Sequence, residues 1–189
     1  RTGSNFTRGV AAALLGAIDI RGKLEADIAV LELDEAHAVH FVRTIAPRYS
    51  LLLNVMRDQL DRFGEIDKTA ALLHTIATHT TDGVVLNRDD PRLIAPAFTD
   101  SLTIPFATYS VAPKLRALFP SDDDMRELSK SPDKDRAFQA DNTQLYSIDG
   151  SHASIRFGAK THAVSLQLKG IYNIQNAVGA VALTRMILG

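Results

Sequence analysis

The chain has 189 residues, of which 46% are hydrophobic and 23% are charged, so it is long enough to bury one sizeable core. Its formal net charge of −1 gives no overall field that would favour nucleic acid or an anionic membrane. Because the chain contains no cysteine, disulfides, thiolate metal sites and cysteine nucleophiles are excluded. No apolar run approaches the roughly 20 residues that span a bilayer, so we do not expect an integral membrane protein.

The N-terminal part of the chain predicts a helix, a strand and a second helix. Asn5 can cap a first helix whose small apolar face begins at Val10 and ends at Ile18. The β-rich run DIAVLEL (27–33) predicts a buried strand. The segment EAHAVHFVRTIA (35–46) follows it with helical periodicity.

The middle of the chain continues this alternation. A second strand is predicted at YSLLLNV (49–55), a helix near 67–80, and a third strand at GVVLN (83–87). Asp90 can then cap a short helix with Pro91 at its first position. Strands that alternate with helices indicate right-handed βαβ units and a mainly parallel sheet flanked by helices, an α/β fold.

The pattern changes after this alternation. Residues 121–137 are acidic and then mixed in charge, which predicts a surface helix that runs into a linker. A β pattern returns over 144–168, where the Asp149-Gly150 pair is typical of a hairpin. We expect this part to be antiparallel and appended to the edge of the sheet. The last segment, residues 172–188, predicts an amphipathic or buried helix.

Polar residues follow three predicted strands at the point where each strand ends: Glu32, then Asn54, then Asn87 and Asp89. Because the carboxyl ends of parallel strands lie along the edge where open α/β sheets bind ligands, we expect these side chains to converge. The charged stretch NVMRDQLDRFGEID (54–67) begins at this edge. A solvent loop does not need so many alternating charges, so we interpret the stretch as the wall of a site.

Each of these motifs also has a structural interpretation. Glu32 suits Mg²⁺, which takes few protein carboxylates, but it could be a merely exposed residue beside Asp34, the cap of the next helix. The segment RDQLDR (57–62) could supply ligand contacts or a set of ion pairs, although surface ion pairs contribute little stability. The segment NRDDP (87–91) is also typical of a turn and a helix start.

The start of the last helix has two interpretations as well. Gly170 could close a strand and Asn173 could cap the helix. Asn176 lies three residues further on the same helical face, where both carboxamides could offer a donor and an acceptor to a base edge. The scattered histidines lack a third ligand, so we expect no zinc site. Neither a nucleophile elbow nor a G-x-x-x-x-G-K-[ST] loop is present in the sequence.

Five segments together resemble the Mur ligase superfamily, and within it the MurT family of amide ligase subunits. In chain order they are NFTRGVAAAL, LELDEA, NVMRDQLDRFGEID, VVLNRDDP and GIYNIQNAVGAVA. The most specific element is N-x-x-R-D-Q-x-D-R-[FY]-G-E, which differs from the D-H-x-D pattern of the peptide-adding Mur ligases. The resemblance covers essentially the whole chain.

The resemblance implies that residues 1–189 are the central ATP-binding domain, a P-loop NTPase-like fold that is incomplete at its N-terminus. The P-loop is expected just upstream of the chain, and a C-terminal domain with a catalytic aspartate is expected after Gly189. No catalytic residue is therefore expected in this chain, and the chain alone is expected not to turn over ATP. A four-cysteine zinc ribbon, found in many MurT proteins, is excluded by the absence of cysteine.

The resemblance also assigns site residues. Glu32 matches the family's Mg²⁺ ligand, and Gln59 lies where other Mur ligases have a metal-binding histidine. Asn54, Arg57 and Asp58 would form the wall that orients substrate or metal. The positions that match the nucleotide site are Asn87, Asp89, Asn173 and Asn176, the last two being the asparagines that read adenine.

The implied reaction is the ATP- and Mg²⁺-dependent amidation of the D-glutamate α-carboxylate of lipid II to D-isoglutamine through an acyl phosphate. The ammonia would come from a GatD-like glutaminase subunit, in the cytoplasm at the inner face of the bacterial membrane. One alternative is another Mur-like ligase of the folylpolyglutamate or peptide-adding type. The other is a nucleotide-binding or scaffolding module without ligase activity.

Overall fold

A computed structural model describes residues 7–55, 65–120, 142–150, 152–167 and 170–189. The helices are α1 (Thr7–Ala17), α2 (Glu35–Val42), α3 (Glu65–His79), α4 (Pro96–Thr99) and α5 (Ile171–Leu188), with a 3₁₀ helix at Pro113–Leu118. The strands are β1 (Tyr49–Leu52), β2 (Gly83–Asn87), β3 (Phe106–Val111), β4 (Thr143–Asp149), β5 (His152–Phe157) and β6 (Lys160–Ser165).

The described strands form one sheet in which each strand lies beside its predecessor in the chain, in the order β1 to β6. Strands β1 to β4 are parallel to their neighbours, whereas β4, β5 and β6 are antiparallel. Helix α3 makes the crossover between β1 and β2, which two parallel neighbours require. The predicted α/β fold, a mainly parallel sheet with an appended antiparallel segment, is confirmed.

Strand β2 shows why this sheet has two hydrophobic cores. Successive side chains of a strand point to opposite faces, so Val84 and Leu86 join a core with α2 and α3, while Val85 joins the core beneath α5. All three side chains are completely buried. Because helices cover both faces, the strand is a continuous aliphatic run rather than an alternating one.

Helix α5 approaches the sheet most closely at Gly179. A Cβ atom at this position would lie 3.2 Å from Cδ1 of Leu51 and 3.3 Å from the ring of Tyr109. Such contacts are tighter than ordinary van der Waals packing, so the missing side chain lets the helix lie close to β1 and β3.

The antiparallel segment is built from two tight hairpins. Gly150 lies between β4 and β5 with φ 57°, and Gly158 follows β5 with φ 55°, a left-handed conformation that favours glycine. The predicted hairpin at Asp149-Gly150 is therefore confirmed. The pairing register shifts between Leu145 and Ser147 of β4, close to where the parallel part of the sheet gives way to the antiparallel part.

The predicted strand at 27–33 is wrong. The segment has irregular backbone, and its side chains face solvent: Ile28 is 70% exposed and Val30 is 89% exposed. An aliphatic run becomes a strand only when its backbone finds a ladder partner. Among the described strands β1 is an edge strand that pairs with β2 alone, and 27–33 does not pair with it.

The helices predicted at the positions of α1, α2, α3 and α5 are present, with shifted ends. Helix α2 ends at Val42 rather than at residue 46, and α3 spans Glu65–His79. Helix α1 buries Val10 but leaves Leu15 71% exposed, so only part of its predicted apolar face is covered. Its predicted cap, Asn5, lies outside the described residues. The acidic segment 121–137 lies outside them as well.

The short helix predicted at Pro91 is instead a turn over residues 91–94, and α4 begins at Pro96. Asp90 nevertheless accepts hydrogen bonds from the backbone N–H groups of Arg92 and Leu93, as a cap would. In the parts of the chain that the structure describes, no helix has the length and apolarity needed to cross a membrane.

Candidate functional site

The carboxyl edge of the parallel strands gathers polar residues. Leu52 is paired with Leu86 in the ladder, so Asn54, which follows β1, and Asn87, which ends β2, lie at the same edge. Asn54 is half-buried and Asn87 is 5% exposed. This is the edge where open α/β sheets bind ligands.

Asp90 links the segment after β1 to the turn after β2 at this edge. Its side chain is buried, and Oδ2 accepts a hydrogen bond of 2.5 Å from the N–H of Val55, while Oδ1 accepts bonds of 3.0 Å from Arg92 and 3.4 Å from Leu93. Burial raises the pKa of this carboxyl, although the three backbone hydrogen bonds oppose that shift. One carboxylate thus joins the ends of β1 and β2.

Asp89 makes a second junction, between β2 and β3. Its Oδ2 accepts a hydrogen bond of 2.6 Å from the N–H of Val111, and Oδ1 lies 3.7 Å from Nε of Arg116. The N–H of Asp89 donates to Oδ1 of Asn87 over 3.0 Å. Asn87 and Asp89 therefore stabilise the protein's own backbone in this structure. Their assignment to a nucleotide site stays a prediction.

Tyr109 of β3 contacts the same edge through its hydroxyl. Its hydroxyl donates a 2.8 Å hydrogen bond to the carbonyl oxygen of Leu53, and its side chain is 1% exposed. Burial raises the pKa of the phenol, with Asp89 and Asp90 contributing further, so the hydroxyl keeps its proton and remains a donor. Leu53 and Val55, on either side of Asn54, are thus held by a side chain of β3 and by a side chain of the loop after β2.

The remaining wall residues, Arg57 and Asp58, and the predicted metal ligand Gln59 lie outside the described residues. Glu32 is described, but it belongs to the irregular segment that replaces the predicted strand, and its side chain is exposed. Strand pairing therefore does not fix Glu32 at the carboxyl edge. Its neighbour Asp34 caps α2 by accepting a 3.1 Å hydrogen bond from Ala36 N–H, as the structural interpretation predicts.

The start of α5 differs from the predicted cap. Gly170, with φ 102°, is the N-cap residue and makes no side-chain cap, while Asn173 lies inside the first turn. The interpretation of Asn173 as the helix cap is therefore wrong. Asn173 is exposed and Asn176, three residues on, is half-buried, so the helix places both carboxamides on one face near its N-terminus.

Comparison with known proteins decides the family. Residues 11–184 match the model of the Mur ligase middle domain. The chain belongs to the Mur ligase family. This agrees with the resemblance of its sequence motifs and with the sheet described above.

Relatives within the Mur ligase family include two kinds of enzyme. The chain is 28% identical to the MurT subunit of lipid II isoglutaminyl synthase from Streptococcus pneumoniae, over 98% of the chain and 45% of that protein. It is 30% identical to the UDP-N-acetylmuramoylalanine–D-glutamate ligase of Burkholderia vietnamiensis, over 85% of the chain and 33% of that protein. The chain thus spans less than half the length of these relatives.

Solved Mur ligase structures share the fold. MurF from Acinetobacter baumannii aligns with a TM-score of 0.60 and 16% identity, over 88% of the chain and 32% of that structure. A pseudomurein peptide ligase type C from Methanothermus fervidus aligns with a TM-score of 0.52 and 13% identity, over 79% of the chain and 33% of that structure. At such low identities the likeness concerns the fold alone.

The sequence analysis missed Tyr109, a site residue of this Mur ligase domain. Its hydroxyl bonds a carbonyl 56 residues away. A signal was present, since FATYSV (106–111) places a tyrosine at a buried strand position, where its hydroxyl needs a partner. Which partner it takes depends on the strand order.

Metal-binding side chains do not cluster in the described part of this Mur ligase domain. Among residues 7–55, 65–120, 142–150, 152–167 and 170–189, no group of three histidine, aspartate or glutamate side chains is arranged to hold an ion. A metal site that includes Glu32 would therefore take its other ligands from outside the described histidine, aspartate and glutamate side chains.

Proposed function

We propose that this Mur ligase middle domain is the ATP-binding part of a MurT-type amide ligase that acts in peptidoglycan synthesis. The reaction is the amidation of the D-glutamate α-carboxylate of lipid II to D-isoglutamine. ATP phosphorylates the carboxylate to an acyl phosphate, and ammonia then displaces phosphate. A GatD-like glutaminase subunit supplies the ammonia, at the cytoplasmic face of the membrane.

The observation that carries this proposal is the similarity to a MurT subunit over 98% of the chain. The Burkholderia ligases, which are 30–31% identical over 85% of the chain, support a second candidate, the addition of D-glutamate to a nucleotide-linked precursor. The motif that begins at Asn54 favours the first candidate. It reads R-D-Q, with Gln59 where the peptide-adding ligases have the histidine of D-H-x-D.

Nucleotide binding is assigned to the start of α5 and to the strand ends. A carboxamide can donate to a ring nitrogen and accept from an exocyclic amine, the pattern of adenine, so Asn173 and Asn176 suit the base. Asn87 and Asp89 lie at the carboxyl edge, where they would line the nucleotide site while they keep the strand ends joined. Asn54, with Arg57 and Asp58, would orient the acceptor substrate.

Mg²⁺ is assigned to Glu32 together with Gln59. The donor chemistry fits, because Mg²⁺ takes one or two carboxylates and completes its shell with waters and phosphate oxygens. Glu32 offers an exposed carboxylate to such an ion. When bound, the ion would offset the negative charge on the phosphates of ATP.

The test uses the whole protein produced together with its glutaminase. Lipid II, ATP, Mg²⁺ and glutamine are supplied, and amidated lipid II is measured by mass spectrometry. We expect amidation that requires ATP and is supported by free ammonia in place of glutamine. A second reaction mixture contains UDP-N-acetylmuramoyl-alanine and D-glutamate in place of lipid II and glutamine. Addition of D-glutamate in that mixture, without amidation of lipid II in the first, would overturn the proposal in favour of the second candidate.

Glu32→Gln tests the metal assignment within the same assay. It keeps the shape of the side chain and removes its charge, so we expect amidation at limiting magnesium to fall at least about tenfold without a change in melting temperature. Glu25→Gln is the matched control, because Glu25 is an exposed glutamate of the same irregular N-terminal region. Equal activities for the two variants would remove Glu32 from the metal site.

A further inference from the structure

We infer that Tyr109 and Asp90 are positioning residues that hold Asn54 in place by clamping the backbone on both sides of it. The role assigned to this clamp, placing the start of the R-D-Q motif for ligation, rests on the proposed function. The clamp itself rests on two hydrogen bonds in the structure. Neither residue needs to touch a substrate for this role.

The first half of the clamp comes from β3. The Tyr109 hydroxyl donates to the carbonyl oxygen of Leu53 over 2.8 Å. Leu53 lies one residue beyond β1, so its carbonyl lies past the end of the strand. A buried tyrosine has few alternative positions, because its ring fills the space left by Gly179 of α5.

The second half comes from the loop after β2. The Asp90 carboxylate accepts the N–H of Val55 over 2.5 Å, and the same carboxylate holds the turn at 91–94 through Arg92 and Leu93. Hydrogen bonds to a buried charged group are stronger than those between neutral groups. Val55 is itself 3% exposed, so water does not readily replace this bond.

The two bonds leave one residue, Asn54, between two fixed points. The segment Leu53–Val55 cannot shift along β1 without breaking a bond to β3 or to the loop after β2. Small displacements of substrate-orienting groups have large effects on rate. A clamp of this kind therefore contributes to the geometry of the site.

Tyr109 also connects this segment to the proposed nucleotide helix. Its ring lies against Gly179, one turn beyond Asn176 on α5. Tyr109→Phe keeps that packing and removes only the hydroxyl. The variant therefore separates the clamp from the support that the ring gives to α5.

Asp90→Asn separates the two roles of the carboxylate in the same way. An asparagine has one acceptor oxygen in place of two, so it can keep the cap on Arg92 and Leu93 but then presents an NH₂ group to the N–H of Val55. The clamp is lost while the turn is retained. Tyr146→Phe and Asp100→Asn are matched controls, because both residues are exposed and lie outside the clamp.

The first measurement is hydrogen exchange of the Val55 amide in the whole protein, which does not depend on any activity. Loss of a hydrogen bond to a buried carboxylate is expected to speed this exchange about tenfold in Asp90→Asn. A smaller increase is expected in Tyr109→Phe, because the bond that it removes is to Leu53, two residues before Val55. Exchange at the wild-type rate in both variants would overturn the clamp.

The second measurement is ligation by the whole protein with its glutaminase. We expect both variants to lower kcat about tenfold while the KM for ATP changes less than about twofold, since the clamp places the acceptor side and not the base. Faster exchange at Val55 with an unchanged kcat would show a purely structural pair of bonds and overturn the positioning role. Absence of ligation in the unaltered protein would overturn the proposed function alone, because the exchange result still decides the clamp.

Discussion

Two aliphatic runs of this chain are similar in composition, but one forms a buried strand and the other remains irregular and exposed. Residues 83–87 form β2, where Val84, Val85 and Leu86 are completely buried. Residues 27–33 remain irregular, and Val30 is 89% exposed. Both runs are rich in residues that favour strands. Local propensity therefore does not separate them.

The difference lies in their partners. Strand β2 has β1 on one side and β3 on the other, so its backbone groups are paired along both edges. Helices cover both of its faces, which removes its side chains from water. The run at 27–33 pairs with none of the described strands. A β-rich sequence thus becomes a strand only where a neighbour supplies a ladder, and it becomes a buried strand where helices also cover its faces.

The comparison is tested most directly by the same substitution in both runs. Val85→Ala removes two buried methyl groups and leaves a cavity under α5, so we expect a loss of about 2–3 kcal/mol in the free energy of unfolding. Val30→Ala removes exposed methyl groups and is expected to change it by less than about 0.5 kcal/mol. Urea denaturation of both variants measures the difference. Equal losses would mean that 27–33 is covered in solution.

A pair of glycines extends the comparison to the helices. A Cβ at Gly179 of α5 would meet Leu51 and Tyr109 at 3.2–3.3 Å, whereas nothing lies within 4 Å of one at Gly16 of α1. We expect Gly179→Val to destabilise the protein by about 1–2 kcal/mol through overpacking. Gly16→Val should stay within about 0.5 kcal/mol of the unaltered protein, since valine is no worse than glycine in a helix. Thermal unfolding of the two variants is the measurement, and a stable Gly179→Val would show that α5 can move away from the sheet.

The proposed nucleotide-binding residues Asn173 and Asn176 lie on α5, the helix that packs against the sheet. Asn173→Ala and Asn176→Ala in the whole protein should each weaken ATP binding about fivefold and reduce discrimination against GTP, as expected for one lost hydrogen bond. Titration calorimetry with both nucleotides measures this. Thr184→Ala, near the other end of the same helix, is the control. Nucleotide affinities equal to those of the control would leave the adenine site unlocated.

The smallest expected effect concerns pH and the buried carboxyl that joins β1 to β2. Burial raises the pKa of Asp90 above its ordinary value of 3.8, so the folded state holds this proton more tightly than the unfolded state. The contribution of Asp90 to stability should therefore decrease as the pH rises from the ordinary pKa through the raised folded pKa. Asp90→Asn cannot titrate, so the stability difference between it and the unaltered protein should shrink over that interval. Urea denaturation across the acidic range measures this, and a difference that grows with pH would contradict it.

Much of the fold could be predicted because its elements have strong periodic signals. The strand at 83–87 and the helix at 172–188 lie where the pattern places them, whereas the strand predicted at 49–55 is shorter and ends at Leu52. Whether the run at 27–33 forms a strand could not be predicted in this way. Hydrophobicity indicates that a segment favours burial, but it does not identify the strand that would pair with it.

The site was predictable only in part for a related reason. That Asn54 and Asn87 share an edge follows from parallel strand order. The bond from Tyr109 to Leu53 joins residues far apart in the chain and depends on which strands are adjacent. The cap of α5 was predicted wrongly because the helix already begins at Ile171, so that Gly170, with its positive φ, is the N-cap and Asn173 lies in the first turn.

The consecutive order of the strands has a consequence for how the domain forms during synthesis. Each strand from β2 onwards finds its partner already made, so the sheet can grow as the chain leaves the ribosome. Helix α5, which contacts β1, β2, β3 and β4, is the last of the described elements to be synthesised. Until it emerges, the face that carries Val85, Tyr109 and Leu145 is open to water. The nascent domain therefore passes through a stage in which an apolar sheet face is available to chaperones and to aggregation.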